Sequence, residues 1–323
     1  MPLRTFIHNF FRFWGLKFEK TVSSFGNKLA VYNIKKDEYD IIGNKIFIKE
    51  LQLELPRCSA TPILERYKTA IQLSNQGGFK FLVNETGDLF AKNNNVQFKI
   101  NDEEELFILS EVFLEGSYNL ISPTTKKIAL IDVGMNVGIT TLFFASKENV
   151  DKVFSFEPFK PTYLMALQNI ELNKPIAGKI STHNFGLAKE EETIHLPYST
   201  KEKGRMGTNG LPKSEGFNSS NVSTQSMLLK SASDEFLKIK DQVKDHFVVC
   251  KIDTEGAEYE IIDSLYNANL LSIADVYFIE WHKIKPDDIV DKLKASDFHV
   301  IETTMTLLHS GMIYAIKNTT NQN

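Results

Sequence analysis

From Lys126 onward, short uninterrupted apolar runs alternate with longer segments whose apolar residues lie three or four positions apart. The short runs predict buried strands, and the longer segments predict helices, the first of them beginning near Ile139. Strands that alternate with helices of about 10–15 residues indicate a doubly wound, mostly parallel sheet. The predicted strands are IALIDVG, VFSFEP, ISTHNFGLA, TIHLPY, FVVCKID, DVYFIEW, FHVIETT and GMIYAIK. The last two have no helix between them, so we expect them to form an antiparallel hairpin at one edge of the sheet.

The first third of the chain has a different, mixed pattern. We therefore predict an N-terminal accessory or cap region over 1–120 and a main domain over 121–318. Within the accessory region, the pattern predicts a helix over 62–73, strands over 79–84, 88–91 and 96–99, and a helix beginning near 102–104 and ending at Gly116.

Residues 3–18 place their large apolar side chains on one helical face, while Arg4, His8, Arg12 and Lys17 lie mostly off it. A helix packed on its own domain is one interpretation. The other is an interfacial helix that gives peripheral membrane contact with anionic lipid, or a lid over a lipid-linked substrate. Charges interrupt every apolar stretch, which is not typical of a secretory signal.

Residues 198–226 interrupt the alternation of strands and helices. They contain four glycines and almost no large apolar side chain, which predicts a flexible loop insertion. Arg205 is the only arginine after Arg66. It is a candidate substrate-binding residue, because a guanidinium binds a phosphate or carboxylate bidentately; the alternative is a solvated loop charge.

Composition narrows the class of protein. The 323 residues carry 37 Lys and Arg against 41 Asp and Glu, a net charge of −4, which argues against nucleic acid as a partner. Only two cysteines occur, far apart, so neither a disulfide framework nor a cysteine zinc site is expected. No apolar run is long enough to span a membrane. We expect a cytoplasmic protein, membrane-associated only if residues 3–18 contact lipid.

The sequence IDVGMNVG predicts a ligand-binding loop between a buried strand and a helix. Gly134 and Gly138 allow the backbone to approach a ligand closely, and the new helix offers free N–H groups. The next strand ends in Glu157, where a carboxylate accepts hydrogen bonds from a ribose diol. These features together predict an adenosine-containing ligand over the sheet.

Two cofactors fit this pattern. A dinucleotide calls for G-x-G-x-x-G, whereas this loop is G-x-N-x-G with Asn136 at its centre. Asp132 would repel a pyrophosphate but suits the cationic amino-acid portion of S-adenosyl-L-methionine (SAM), directly or through water. The antiparallel C-terminal strands also favour SAM. A glycine-rich turn without a ligand is the third interpretation.

At this level the sequence resembles the FkbM-type family of SAM-dependent methyltransferases over about residues 100–316. The resemblance rests on IDVGMNVG, FSFEPFKPTYLMALQNIELN, NFGLA, KIDTEGAEYEIIDSL and IEWH, although Met135 stands where members usually have Ala. It implies a Rossmann-like class I methyltransferase fold, an α/β architecture with a seven-stranded, mostly parallel sheet and an antiparallel C-terminal hairpin. It also implies O-methylation of hydroxyls, often on sugars. The residues it implies for SAM binding are Asp132, Gly134, Asn136, Gly138, Glu157 and, near the adenine, Asn184.

Several charged residues follow the strand FVVCKID. Lys251 lies within this strand, and we expect it to pair with a carboxylate, since a buried unpaired ammonium is costly. Asp253 ends the strand at the edge where open α/β sheets bind ligands. Glu255 and Glu258 lie close together around the start of the next helix. Glu258 also fits a simple role at the helix N-terminus.

The neighbouring strand DVYFIEW ends with Glu280 and is followed by His282. Methylation of a hydroxyl requires a group that accepts its proton, and His282, expected to titrate near neutrality, is the first candidate, with Asp253 and then Glu255 as further catalytic candidates. A structural hydrogen-bonding role for His282 is the alternative. The acidic cluster would also suit a divalent metal, but the prediction favours no metal.

We therefore predict a methyltransferase that transfers a methyl group to a hydroxyl of a carbohydrate or other hydroxyl-bearing acceptor. The alternatives are O-methylation of a lipid or polyketide-like small molecule, or a non-catalytic scaffold with this fold. The predicted acceptor-binding residues are Glu258, Glu280 and Arg205.

Overall fold

The computed structural model describes residues 29–56, 62–119, 125–199, 222–282, 285–304 and 310–318. Its contacts divide the chain into two units. The first contains the described residues up to Asn94 together with Lys99–Glu115, and the second contains Asn95–Phe98 and the described residues from Gly116 onward. The predicted segment 3–18 and Arg205 lie outside the described residues.

The first unit is built from short elements. A three-stranded antiparallel sheet is followed by helices, a second three-stranded sheet and a last helix. In chain order these are β1 (Tyr39–Ile42), β2 (Lys45–Ile48), β3 (Leu53–Pro56), α1 (Pro62–Glu65), α2 (Tyr67–Gly77), β4 (Lys80–Val83), β5 (Leu89–Lys92), β6 (Gln97–Ile100) and α3 (Glu103–Ser110). The first two residues of β6 are counted with the second unit.

The structure divides one predicted helix of this unit and confirms the bounds of another. The helix predicted over 62–73 is interrupted at Arg66 and continues to Gly77. The later helix begins after Asp102, whose side chain accepts a hydrogen bond from the Glu105 backbone N–H. It continues as a π-helical turn and ends at Gly116, whose φ of 73° is the left-handed conformation expected of a helix-terminating glycine.

The second unit contains the main sheet. Its strands are β7 (Ile128–Val133), β8 (Val150–Phe156), β9 (Ile180–His183), β10 (Gly186–Ala188), β11 (Glu192–Ser199), β12 (Val222–Ser231), β13 (Phe247–Ile252), β14 (Val276–His282), β15 (Phe298–Glu302) and β16 (Ser310–Lys317). Its helices are α4 (Ile139–Ala145), α5 (Lys160–Glu171), α6 (Lys174–Ala177), α7 (Ala232–Val243), α8 (Glu258–Asn267) and α9 (Asp287–Ala295).

Seven of these strands form one sheet in the order β15-β16-β14-β13-β7-β8-β9. The pairs from β14 to β9 are parallel, and β16 is antiparallel to both β14 and β15. This confirms the predicted α/β fold with an antiparallel C-terminal pair. From β7 the chain order runs outward to β8 and β9, and from β13 it runs outward to β14 in the opposite direction. The order therefore reverses between β7 and β13, and the ends of these two strands form the point where such sheets bind ligands.

One predicted strand is two strands in the structure. ISTHNFGLA divides after His183: β9 completes the main sheet, whereas β10 pairs in parallel with β12 in a separate sheet of order β10-β12-β11. In that sheet β11 and β12 pair up to Ser199 and Val222. Both ends of the predicted insertion 198–226 therefore belong to strands, because the pairing of β11 with β12 continues into them. Residues 200–221 of the insertion lie outside the described residues.

The core of the second unit lies on the faces of the main sheet. All six residues of β7 are buried, and the apolar sides of α7, α8 and α9 pack into one cluster with β13 and β14. Continuous burial of this kind is typical of a central parallel strand. Among the helices that the structure describes, none is both long enough and apolar enough to cross a membrane.

Candidate functional site

The loop after β7 is packed directly against the loop after β13. At Gly134, φ is 85°, and a Cβ atom added there would lie 1.7 Å from the carbonyl oxygen of Asp253. Only glycine fits both the space and the backbone conformation. The N–H groups of Gly134 and Met135 donate to the Phe156 carbonyl, and Gly138, with φ 87°, precedes α4. The predicted loop therefore lies at the ends of three neighbouring strands.

Glu157 follows β8 and closes this loop. Its Oε2 accepts a hydrogen bond from the Asn136 N–H at 3.0 Å, and its Oε1 accepts one from the Phe159 N–H at 2.9 Å. Burial raises the pKa of Glu157 to about 7, although the two N–H groups act in the opposite direction. Asn136 has a φ of 51°, and its buried Oδ1 has no hydrogen-bond partner among the described residues.

Asn184 supports Glu157 from the next strand. Its Nδ2 donates to the carbonyl oxygens of Glu157 and Pro158 at 2.9 and 3.3 Å. Beside it, the rings of Phe156 and His183 stack with centroids 4.8 Å apart. The structure thus brings together the predicted residues Gly134, Asn136, Gly138, Glu157 and Asn184.

Asp132 lies deeper than we predicted. Its side chain is fully buried: Oδ2 accepts a hydrogen bond from Thr141 Oγ1 at 2.6 Å, and Oδ1 lies 3.4 Å from Lys251 Nζ. Burial raises the pKa of Asp132, an effect that Lys251 and Thr141 oppose. The structure thus places the Asp132 carboxylate beneath the loop, and its contact with a cofactor, directly or through water, stays a prediction.

Thr141 is a residue that sequence reasoning missed. Its hydroxyl lies between Asp132 and Ser155, at 2.6 and 2.8 Å, on a helix whose residues are all buried. The available signal was the presence of hydroxyl side chains in the otherwise apolar segment ITTLFFA. A buried hydroxyl in such a helix needs a partner, and the nearest acid of the preceding strand was the obvious candidate.

The second part of the site is a charged cluster at the ends of β13 and β14. His282 is nine-tenths buried. Its Nδ1 lies 3.2 Å from Glu258 Oε1, and its Nε2 lies 3.6 Å from one carboxylate oxygen each of Glu255 and Glu280. The Asp253 side chain is 30% exposed and faces the same cluster, with its Oδ2 3.3 Å from Lys251 Nζ. The structure therefore brings the predicted residues of both strands together.

These surroundings correct the expected titration of His282. Burial alone would lower its pKa, but Glu258, Glu280, Glu255 and Asp253 outweigh burial and raise the pKa to about 11. The imidazole therefore holds its proton at neutral pH and is not poised to accept another. The sequence indicated these carboxylates as site residues but not their distances from the ring, and those distances set the pKa of His282.

Glu258 also differs from its prediction as an acceptor-binding residue. It is fully buried, and its Oε1 accepts hydrogen bonds from the N–H groups of Thr254 and Gly256 and from the Thr254 hydroxyl. It therefore holds the loop before α8 and contacts His282, and its role in binding an acceptor stays a prediction.

Glu255 lies on that loop with a φ of 57°, a conformation that is rare for residues other than glycine. Burial, and to a lesser extent Asp253 and Glu280, raise the pKa of Glu255 to about 7, while His282 lowers it. Burial likewise raises the pKa of Glu280. Strained backbone of this kind is common at functional sites.

The cluster contains groups that bind metals. One ligand atom each of Asp253, Glu280 and His282 lies within 4.8 Å of the others. Two carboxylates and an imidazole would suit a divalent cation. In the structure, however, the protonated ring of His282 already provides positive charge to these carboxylates. The preference for no metal stays a prediction.

Comparison with known proteins gives one family. The model of the Methyltransferase FkbM domain matches residues 132–309. Among curated proteins, Methyltransferase sdnD of Sordaria araneosa is 23% identical over 232 residues, covering 66% of this chain and 88% of that protein. Hexuronic acid methyltransferase AglP of Haloferax volcanii is 27% identical over 203 residues, covering 61% of this chain and 75% of that protein.

Solved structures with a similar fold have low identity. The crystal structure of Methyltransferase FkbM from Methylobacillus flagellatus KT is 15% identical, with a TM-score of 0.40, and the match covers 61% of this chain and 45% of that one. The human methyltransferase 10 domain containing protein is 14% identical, with a TM-score of 0.40 and coverage of 79% and 96%.

Proposed function

Since the family model matches more than half of its residues, the chain belongs to the Methyltransferase FkbM domain family, and we propose that it is a SAM-dependent O-methyltransferase acting on a sugar hydroxyl. The observation that carries this proposal is the packing of Gly134 against the Asp253 carbonyl. It joins a loop suited to a nucleoside cofactor to a cluster of carboxylates suited to accepting a proton.

The residues of the first loop fit SAM. A side chain at Gly134 would collide with the Asp253 backbone, so the loop presents bare backbone at this point. The buried Oδ1 of Asn136 lacks a partner among the described residues and is a ready acceptor. Each oxygen of Glu157 accepts one N–H and has capacity for a ribose hydroxyl. Bound there, SAM would supply an electrophilic methyl group on its sulfonium and would leave as the neutral thioether, so that the S–C bond breaks as the O–C bond forms.

Within the cluster, Glu255 is the proposed general base. It lies on the loop at the end of β13, and its pKa of about 7 matches the working range of a base at neutral pH. As the acceptor oxygen forms its bond to carbon, the hydroxyl proton passes to the Glu255 carboxylate. This replaces His282, our first candidate, because the imidazolium has no free position for that proton.

His282 and its neighbours then have positioning roles. Glu258 holds Nδ1, so Nε2 is directed at Glu255 and Glu280, and the imidazolium keeps the two carboxylates from repelling each other. Asp253 and Glu280 are each partly exposed and are the proposed acceptors for hydrogen bonds from the substrate. Orienting the hydroxyl in this way accounts for a large part of the catalysis of group transfer.

A carbohydrate is the proposed acceptor class. The Haloferax volcanii relative is named for hexuronic acid, which supports a sugar. Partly exposed carboxylates such as Asp253 and Glu280 are suited to hydrogen bonding with sugar hydroxyls. A lipid or polyketide-like acceptor and a non-catalytic scaffold are the outcomes that the following experiments would reveal instead.

The first experiment is calorimetry with SAM, followed by transfer of labelled methyl to neutral glycans, uronic acid-containing glycans and lipid extracts. We expect SAM to bind and a glycan to be labelled. Mass spectrometry before and after mild alkali distinguishes the product, because a methyl ether survives and a methyl ester is hydrolysed. Absence of SAM binding would support the scaffold, and labelling confined to lipids or to an ester would refute the proposed acceptor chemistry.

The second experiment tests the base. Glu255→Gln is expected to lower kcat by about 100-fold or more, since a positioned base contributes about 10²–10⁴. Glu260→Gln is the matched control, because Glu260 is an exposed carboxylate on α8, the helix that follows the Glu255 loop. Equal kcat values for both variants would remove Glu255 from the reaction. Activity that persists in EDTA would support the metal-free mechanism.

A further inference from the structure

Lys251 is a buried cation in the middle of the main sheet. It lies on β13, directly between Asp132 on β7 and Phe278 on β14, and is only 3% exposed. Removing an ammonium from water is costly unless opposite charges and hydrogen bonds compensate. A lysine at this position therefore implies a specific set of partners.

Three acceptors surround its ammonium group. Nζ donates to the Gly134 carbonyl at 2.6 Å and lies 3.3 Å from Asp253 Oδ2 and 3.4 Å from Asp132 Oδ1. An ammonium has three N–H donors, so the three contacts match its capacity. Burial lowers the pKa of Lys251, but Asp253 and Asp132 reverse this and raise it. The group therefore stays charged at neutral pH.

The three partners belong to different parts of the site. Gly134 is in the loop assigned to SAM, and Asp253 is in the cluster assigned to the acceptor. Asp132 is fully buried beneath both. The two loops also touch through their backbones, because Asp253 donates its N–H to Val133 at 3.0 Å. Lys251 adds a charged side-chain contact to each loop at the same junction.

We infer that Lys251 is a positioning residue that sets the SAM loop and the acceptor-facing Asp253 relative to each other. This inference rests on the proposed function for its catalytic consequence, but the geometry it describes is independent of the reaction. Loss of the ammonium should release the Gly134 carbonyl and the Asp253 carboxylate together. Cofactor affinity and the rate at saturating cofactor should then both fall.

The test requires a variant that folds. Lys251→Met alone leaves the Asp132 carboxylate buried without its cation, which is strongly destabilising. The double variant Lys251→Met, Asp132→Asn removes the buried pair together and keeps a group that bonds the Thr141 hydroxyl. We expect this variant to fold, with its kcat at saturating SAM and its affinity for SAM each about 10-fold or more lower than in the wild type.

Lys179→Met is the matched control. Lys179 is partly buried and donates to the carbonyls of Ala145 and Lys147, but it lies before β9 and has neither site loop as a partner. The substitution Lys179→Met therefore removes hydrogen bonds from a lysine to carbonyl oxygens elsewhere in the second unit. We expect its kcat and SAM affinity to stay within about twofold of the wild type. Equal losses in both variants would overturn the inference.

Hydrogen exchange tests the geometry without the reaction. Peptides covering 131–138 and 252–257 are expected to exchange faster in the folded double variant than in the wild type, and to be unchanged in Lys179→Met. If the wild type transfers no methyl group, the proposed function fails and exchange alone decides on Lys251. Unchanged exchange in both peptides, or wild-type kcat and SAM affinity in the folded double variant, would overturn the positioning role.

Discussion

Lowering the pH from 8 to 6 is expected to weaken SAM binding about tenfold through Glu157. The carboxylate form is the one that accepts hydrogen bonds from a ribose diol, and the protonated form loses part of that capacity. Burial raises the pKa of Glu157 from 4.5 to about 7, so the group titrates within this interval. The Asn136 and Phe159 N–H groups moderate the rise because they stabilise the charged form.

The magnitude follows from the fraction of Glu157 that is ionised. With a pKa of about 7, roughly nine-tenths is ionised at pH 8 and one-tenth at pH 6, and the apparent affinity scales with that fraction. The effect on folding has the opposite direction. The pKa of Glu157 is higher in the folded chain than in the unfolded one, so protonation of Glu157 stabilises the fold. This contribution is full below pH 4.5, is lost as the pH rises through 7, and is at most about 3 kcal/mol.

The assay is titration calorimetry with SAM at half-unit pH steps, on the wild type and on Glu157→Gln. Glutamine does not titrate. The SAM affinity of Glu157→Gln should therefore be low and should show only the pH dependence of SAM itself. Glu171→Gln, which changes an exposed carboxylate of the same unit, should keep the wild-type profile. A pH dependence of equal size in Glu157→Gln would refute the assignment of the titrating group.

Three further changes test the structure around the site. Gly134→Ala should lower Tm markedly and abolish SAM binding, because its Cβ would overlap the Asp253 carbonyl; thermal melting and calorimetry check both. Thr141→Val should cost about 1–3 kcal/mol in urea unfolding, since the buried Asp132 loses a donor, whereas Thr141→Ser should cost less. The pKa of His282 is raised from 6.5 to about 11, so its protonation contributes stability that is full below pH 6.5 and is lost towards pH 11. Between pH 7 and 9, the unfolding free energy of the wild type should therefore fall more steeply than that of His282→Asn, by about 1.4 kcal/mol per pH unit. Equal slopes in urea unfolding would contradict this.

The fold was predictable wherever burial was continuous. The runs IALI and FVVC are apolar without interruption, and both begin central strands. The strands β1, β2 and β3, each of four residues, were not predicted. ISTHNFGLA was predicted as one strand, but the Asn184 side chain donates hydrogen bonds to the Glu157 and Pro158 carbonyls, and the chain changes sheets there.

The site was predictable in membership but not in detail. Motif spacing indicated that Gly134, Glu157, Asp253 and His282 would meet, because carboxyl ends of parallel strands share an edge. The protonation of His282 depends on distances of 3.2 to 3.6 Å to carboxylates from three different segments, which no spacing encodes. Motif spacing also does not encode the burial of Asp132 below the loop, which depends on how α4 packs on β7.

The charge of the cluster bears on which acceptor atom is methylated. Among the residues that the structure describes, four carboxylates, those of Asp253, Glu255, Glu258 and Glu280, meet two cationic side chains, Lys251 and His282, when all are ionised. Two unit charges 4 Å apart interact by about 4 kcal/mol at an effective dielectric constant near 20, so an acceptor carboxylate placed here would be repelled. A neutral hydroxyl instead donates a hydrogen bond to one carboxylate of the cluster and can transfer its proton to that carboxylate. If the proposed acceptor is a uronic acid, we therefore expect methylation of a ring hydroxyl and not of the carboxyl group, which gives an ether that survives alkali.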